Sequence, residues 1–185
     1  LRGTIESDLD EMEAMIQLTL DFLRGDASGE EIRTVDVGTI AESVCDSFAD
    51  SGHDVVLHAD VHVPLSCRPL ALKRAFSNLV DNAVKYGTRA RFALEKRADE
   101  LVITIDDDGP GIPEAEFERV FDPFYRLEAS RSRETGGTGL GLTVARSTIR
   151  AHGGDVRLAN RSGAGLRVTI TLPMPPHLLL PGNTS

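Results

Sequence analysis

Apolar residues in the first 24 positions recur in steps of four and three: Ile5, Leu9, Met12, Ile16 and Leu23, with Thr19 breaking the series. A second line, Met15, Leu18 and Phe22, widens the stripe in the later half. The period is helical, and a stripe this wide suits a helical bundle better than the narrow seam of a two-stranded coiled coil. "RGDASGE" (24–30) then ends the helix as a hinge. From residue 32 the pattern changes. "IRTVDV" reads as a strand, 38–50 as an amphipathic helix, and 54–63 as one or two short strands. Residues 69–86 predict a longer helix that turns Leu72, Phe76, Leu79 and Ala83 toward a core. "ARFALEKR" and "ELVITID" alternate as a strand pair around Ala98 and Asp99. A loop with one short helix covers 108–138, 140–152 is helical, and "DVRLAN" and "GLRVTITL" make a closing hairpin.

Strands bunched in pairs, without strict βαβα alternation, predict an α+β fold. The expected architecture is a two-layer α/β sandwich, a mixed β-sheet with helices on one face, preceded by one long bundle-forming helix. The boundaries read as 1–25 for that helix, 26–31 for a linker, 32–173 for the domain and 174–185 for a Pro-rich, flexible tail.

Composition narrows the function. A net charge of −9 over 185 residues argues against nucleic acid as a partner. No apolar run approaches the ~20 residues of a membrane-spanning helix. The chain opens at Leu1, already inside an amphipathic pattern, and reads as a piece of something longer. Cys45 and Cys67 have no CxxC or metal spacing and read as reduced packing residues of a cytosolic setting. Five histidines, at 53, 58, 62, 152 and 177, form no i,i+4 pair and no zinc pattern. Arg126, Arg131 and Arg133 cluster within eight positions, which in isolation reads as a solvated loop.

Three stretches carry candidate chemistry. In "NLVDNAVKYG" (78–87), helical spacing puts Asn78, Asn82, Lys85 and Tyr86 on one face, away from Leu79, Val80, Ala83 and Val84. Asparagine is a poor helix former, so two of them on one stripe call for a reason. Amide oxygens four residues apart can reach a hard cation such as Mg²⁺, which keeps most of its waters and bridges to phosphates. Lys85 can neutralise phosphate oxygens, and Tyr86 can stack on or edge a base. In "IDDDGPGIP" (105–113) acids emerge from a strand beside glycines that allow close approach of a ligand. A carboxylate there can accept from an exocyclic amine such as that of adenine, although the same letters also spell an ordinary turn. "GGTGLGL" (136–142) leads into a helix, so converging backbone N–H groups and the helix dipole favour a phosphate. It is neither a Walker loop, lacking Gly-Lys-Ser/Thr, nor the dinucleotide GxGxxG.

Together these motifs resemble the ATP-binding catalytic domain of bacterial sensor histidine kinases, in the superfamily that includes gyrase and the Hsp90 chaperones. "NLVDNAVKYG" is similar to the family's asparagine box, "DDDGPGIP" to its first glycine box, "FDPFYR" to its phenylalanine box and "GGTGLGL" to its second glycine box. "LDEMEAMIQLTLDFLRGD" resembles the second helix of the dimerisation and phosphotransfer hairpin. The resemblance covers roughly residues 1–172. It implies Mg²⁺ and ATP as cofactors, with Asn82 as the metal ligand and Asn78 assisting. It implies that Lys85 contacts phosphate, that Tyr86 borders adenine, and that Asp107, two residues before Gly109 in D-x-G-x-G, accepts the adenine amino group. Gly109 and Gly111 would shape that wall, while Gly137, Thr138, Gly139, Leu140 and Gly141 cradle the phosphates. Phe121, Phe124 and Arg126 would belong to a mobile lid between the glycine boxes. Arg131 and Arg133 would face phosphate when that lid closes, and Asn78, Lys85 and Arg126 would serve the transfer step. His152-Gly153-Gly154 also fits the family but reads as helix termination.

No histidine in the chain has the setting of the family's phosphate acceptor, so the acceptor is expected on an upstream hairpin helix and the chain is expected not to phosphorylate itself. The partners implied are that helix, the receiver domain of a response regulator, and a second protomer in a parent homodimer. The implied location is the cytoplasmic portion of a kinase anchored in the inner membrane. Two other readings remain open here. One is a nucleotide-sensing module without transfer chemistry. The other is a gyrase- or Hsp90-type ATPase, in which a glutamate would stand at Asn78 as base for water.

Overall fold

The computed structural model describes residues 29–59, 62–127 and 138–174. The expected helix over 1–25, the tail from 175 onward, and Arg131, Arg133 and Gly137 lie outside the described residues. The elements run β1 (Arg33–Asp36), α1 (Val37–Asp50), β2 (Asp54–His58), β3 (Pro64–Cys67), α2 (Pro69–Tyr86), β4 (Arg89–Lys96) and β5 (Glu100–Asp107). Two 3₁₀ turns follow (Glu114–Glu116 and Arg119–Phe121), then α3 (Gly141–Ala151), β6 (Asp155–Asn160) and β7 (Leu166–Pro173).

Five strands form a mixed sheet in the order β2-β4-β5-β7-β6, with β2 parallel to β4 and every other pair antiparallel. Alternation decides its faces. Phe92, Ile105, Val168 and Leu158 line up across four strands, as do Leu94, Ile103, Ile170 and Val156. These rows turn toward the three helices and meet Ile40 and Val44 of α1, Leu72, Phe76 and Leu79 of α2, and Ile149 of α3 in one core. Phe76 and Phe92 contact edge to face at 5.3 Å between centroids. The other face carries Arg91, Thr104, Arg167 and Arg157 and is open to solvent. The expected sandwich with helices on one face is what forms.

Sequence patterning misses one feature and misjudges another. Among the described residues β1 and β3 pair only with each other, in a separate two-stranded antiparallel sheet. The stretch read as one or two short strands over 54–63 holds one, which stops at His58, and another strand begins at Pro64. Asp36 explains the break: its Oδ1 accepts from Gly38 N, capping α1, and from Val63 N, both at 3.0 Å. Residue 63 is thereby held at the start of α1, which sets the chain into β3. Where a single short helix is expected over 108–138, the described residues hold two 3₁₀ turns. Segments this short have too few i,i+4 bonds to settle as α-helix.

α2 starts at Pro69 without a cap from the preceding Arg68. Glu30, in the expected linker, supplies it: Oε1 accepts from Leu70 N at 2.7 Å and Oε2 from Ala71 N at 3.0 Å. A carboxylate on the first-turn N–H groups satisfies two orphan donors and complements the dipole. At the same end of α2 His152 Nε2 accepts from Arg68 N at 3.0 Å while Nδ1 donates to Thr148 O at 2.7 Å. His152 does end α3, with Gly153 at φ +78° behind it, and it also ties that end to the start of α2.

Candidate functional site

Helices α2 and α3 pack antiparallel, so the asparagine face of α2 meets the glycine-rich start of α3. A Cβ built on Gly141 would lie 3.8 Å from Cβ of Asn78. Asn78, Asn82 and Lys85 are half-buried along this face, while Tyr86, at the last turn, is 39% exposed. Nδ2 of Asn78 is buried without a hydrogen-bond partner. An orphaned amide beside a helix N-terminus is a costly arrangement in the protein alone, and it is the kind of group a bound polar ligand satisfies. Oxygen-bearing amides, a lysine and free helix N–H groups form a donor set that fits Mg²⁺ and a polyphosphate.

The cradle itself is shaped by backbone. Gly139 sits at φ +72°, and a Cβ there would come within 2.8 Å of the Phe124 backbone. Phe124 N donates to Gly139 O at 3.0 Å, and Phe124 takes the left-handed conformation, φ +64°. Thr138 Oγ1 accepts from Leu140 N at 3.2 Å and Leu140 is fully buried, so the loop is anchored where it enters α3. Phe121, implied as part of a mobile lid, packs against α3. It is 7% exposed, its carbonyl accepts from Thr143 Oγ1 at 2.9 Å, and the Arg146 guanidinium lies 4.4 Å from its ring centroid. The phenylalanine segment is thus stitched to α3 through Phe121. Phe124, by contrast, is 61% exposed beside the cradle, and Arg126 is half-buried just beyond it.

The three consecutive acids at the end of β5 do three different things. Asp106 points to the open face, where Arg167 grips it with two bonds of 2.7 and 2.6 Å. Asp108 is exposed and holds the α2–β4 junction, accepting from Thr88 N, Thr88 Oγ1 and Arg89 N. Those bonds, led by the Thr88 amide, pull its carboxyl down to about 2. Asp107 is buried on the helix side of the sheet, and its Oδ1 accepts from Gly109 N at 2.8 Å and Leu166 N at 2.9 Å. That leaves Oδ2 with acceptor capacity, on a carboxylate held by two bonds at its other oxygen. Gly109 passes so close to the last turn of α2 that a Cβ would meet Tyr86 O at 2.6 Å. The first glycine loop therefore lies directly against the end of the helix that bears the asparagine face.

Sequence reading overlooked the residues behind the Asp107 wall. Asn160 pairs with the Ile112 backbone, accepting from its N–H at 2.9 Å and donating to its carbonyl at 2.8 Å. A Cβ on Gly111 (φ +75°) would collide with that amide at 2.5 Å. Arg161 donates to Asp107 O at 2.6 Å. "LANRSGAGL" offered only the look of a hairpin turn, since the partners of Asn160 and Arg161 lie some fifty residues away.

A family model described as histidine kinase-, DNA gyrase B- and HSP90-like ATPase matches residues 67–176. The sensor histidine kinase GtrS of Pseudomonas aeruginosa is 40% identical over 166 residues, covering 90% of this chain and 34% of that protein. The sensor histidine kinase CpxA of Escherichia coli K12 is 34% identical over 179 residues, 92% of this chain and 39% of that protein. The chain thus spans between a third and two fifths of the length of these relatives. Among solved structures, the ATP-binding domain of PrrB from Mycobacterium tuberculosis superposes with a TM-score of 0.66 at 28% identity, over 78% of this chain and 98% of that one. The mycobacterial sensor histidine kinase MprB gives 0.69 at 25% identity, over 78% and 99%.

Proposed function

Because this chain belongs to the histidine kinase-, DNA gyrase B- and HSP90-like ATPase family, and carries the catalytic ATP-binding domain of a sensor kinase, we propose that it binds Mg·ATP and presents the γ-phosphoryl group to a histidine on another helix. The observation that carries this reading is the meeting of the Asn78–Asn82–Lys85 face with the N-terminus of α3 at Gly141, opposite a fixed carboxylate at Asp107.

Asp107 Oδ2 takes the 6-amino group of adenine, Tyr86 borders the ring, and Gly139, Leu140 and Gly141 offer backbone N–H groups to phosphate. Asn82, with Asn78, holds Mg²⁺, which supplies charge neutralisation on the phosphates. Lys85 adds a positive charge on the same face, and the segment with Arg126, Arg131 and Arg133 closes over the nucleotide and excludes water. In the transfer, an imidazole nitrogen forms the N–P bond as the bond from Pγ to the bridging oxygen breaks, and ADP leaves with the electron pair. Asn78 favours this chemistry over hydrolysis, since an amide cannot take a proton from attacking water at neutral pH. No histidine of the chain stands in the expected acceptor setting, so the acceptor belongs to a hairpin helix outside it, in a homodimeric parent held at the inner membrane. The phosphoryl group then passes to an aspartate on a response-regulator receiver domain.

The test is calorimetric titration with a non-hydrolysable ATP analogue, with and without Mg²⁺. Wild type is expected to bind, Asn82→Ala to lose the magnesium-dependent part, and Asp107→Asn to lose affinity by about tenfold or more. A folded wild-type chain that binds no nucleotide would overturn the reading. Steady ATP turnover would replace kinase with ATPase, and failure to phosphorylate a supplied histidine hairpin despite tight binding would leave a nucleotide-sensing module.

A further inference from the structure

Asp107 can select a base only if its free oxygen is aimed, and the structure shows where the aim comes from. It is not α2 or the glycine loop alone. The carboxylate's Oδ1 is held by Gly109 N, which belongs to the loop, and by Leu166 N, which belongs to β7. The loop is in turn held at its far end by the paired bonds between Asn160 and the Ile112 backbone. The main chain of Asp107 is held by Arg161, whose guanidinium reaches its carbonyl at 2.6 Å and lies 3.5 Å from the Asp106 carboxylate. Gly165 closes the arrangement: a Cβ there would sit 2.0 Å from Asp107 O, so the hairpin backbone lies directly against the aspartate.

We propose that Asn160 and Arg161, at the end of β6, are positioning residues that set base selection by bracing the Asp107 wall from behind. Asn160 acts as a piece of strand, satisfying both polar groups of Ile112 and fixing the glycine loop that supplies the Gly109 N–H. Arg161 pins the backbone of Asp107 and is itself steadied by Asp106. Neither side chain touches the nucleotide. Their effect falls on the purine 6-substituent, because their own bonds go to Ile112 and Asp107, whereas the ion pairs of β6 with α3 are made by Asp155 at the far end of the strand. This inference rests on Asp107 as the adenine acceptor.

The experiment compares two magnesium-bound, non-hydrolysable triphosphates by calorimetry: the adenosine analogue and its purine riboside counterpart, which lacks the 6-amino group. Wild type is expected to prefer the adenosine form by roughly ten- to a hundredfold, the range for a hydrogen bond to a charged acceptor. Asn160→Ala and Arg161→Ala are each expected to cut that preference by about three- to tenfold while leaving the counterpart's affinity unchanged. Thermal unfolding of each variant checks that the domain is folded, and Asn160, the more exposed of the two, gives the variant less prone to unfold. Equal losses for both nucleotides, or an unchanged preference in both variants, would overturn the bracing role alone. A wild-type chain without preference would overturn the adenine reading itself, and this inference with it.

Discussion

Three neighbouring aspartates show how little residue type says by itself. Asp106, Asp107 and Asp108 have the same chemistry, yet one is an ion-pair partner, one a buried acceptor and one a junction clamp. Strand alternation separates the first two, and the chain's exit from the sheet frees the third. Asp108 carries a pH prediction with a definite sign. Its folded-state value is depressed from 3.8 to about 2, so its contribution is complete above 3.8 and is lost as pH falls through about 2. The amide resonances of Thr88 and Arg89 are expected to titrate together with a midpoint near 2, and in Asp108→Asn that transition should vanish. A midpoint near 3.8 would mean that the clamp is not formed in solution. The cysteines fit their sequence reading as packing residues: Cys45 and Cys67 are free and buried, and burial pushes both thiols up to about 11.

At the scale of elements, α2 is the piece on which the site depends, and its start is not self-sufficient. Pro69 suits the first turn, but no residue next to it caps the helix. The cap comes from Glu30, forty positions earlier, so the segment leading into the domain is bonded to the helix that bears Asn78, Asn82 and Lys85. Glu30→Ala is expected to lower stability by about 1 kcal/mol, read as a lower denaturant midpoint at unchanged m-value. Glu30→Gln, which keeps one oxygen but no charge, should fall between. A midpoint unmoved in both would show that water caps α2 equally well. The phenylalanine segment makes a similar point from the other side. Its motif implies a moving lid, and Thr143 and Arg146 bind its first residue, Phe121, to α3.

For the molecule as a whole, the β6–β7 hairpin matters more than its place at the sheet's edge suggests, because it backs the Asp107 wall. Two glycines in its turn separate backbone freedom from close approach. Gly163 and Gly165 have nearly the same φ, +105° and +103°, but a Cβ on Gly163 meets open space, and one on Gly165 meets Asp107 O. Gly163→Ala is therefore expected to cost only the conformational penalty, about 1 kcal/mol. Gly165→Ala should cost at least ~2–3 kcal/mol and weaken nucleotide binding as well. Equal unfolding midpoints for the two variants would refute the close packing of hairpin against aspartate.

Most of the fold was legible in the chain because its signals are local. Period-two and helical patterns fix which side chains face inward, and they gave α2, the β4–β5 pair, α3 and the closing hairpin nearly residue for residue. The candidate site residues could be named from the chain too, since ligand chemistry calls for amides, glycines and a carboxylate at set spacings. What only the tertiary structure decided are relations across long separations in sequence: β1 pairing β3, Glu30 capping α2, His152 meeting Arg68, and Asn160 and Arg161 bracing the glycine loop. A hydrogen bond between residues far apart leaves no period in either segment. It exists only once the burial of Phe76, Phe92 and their neighbours has closed the sheet against its helices and brought such groups within reach.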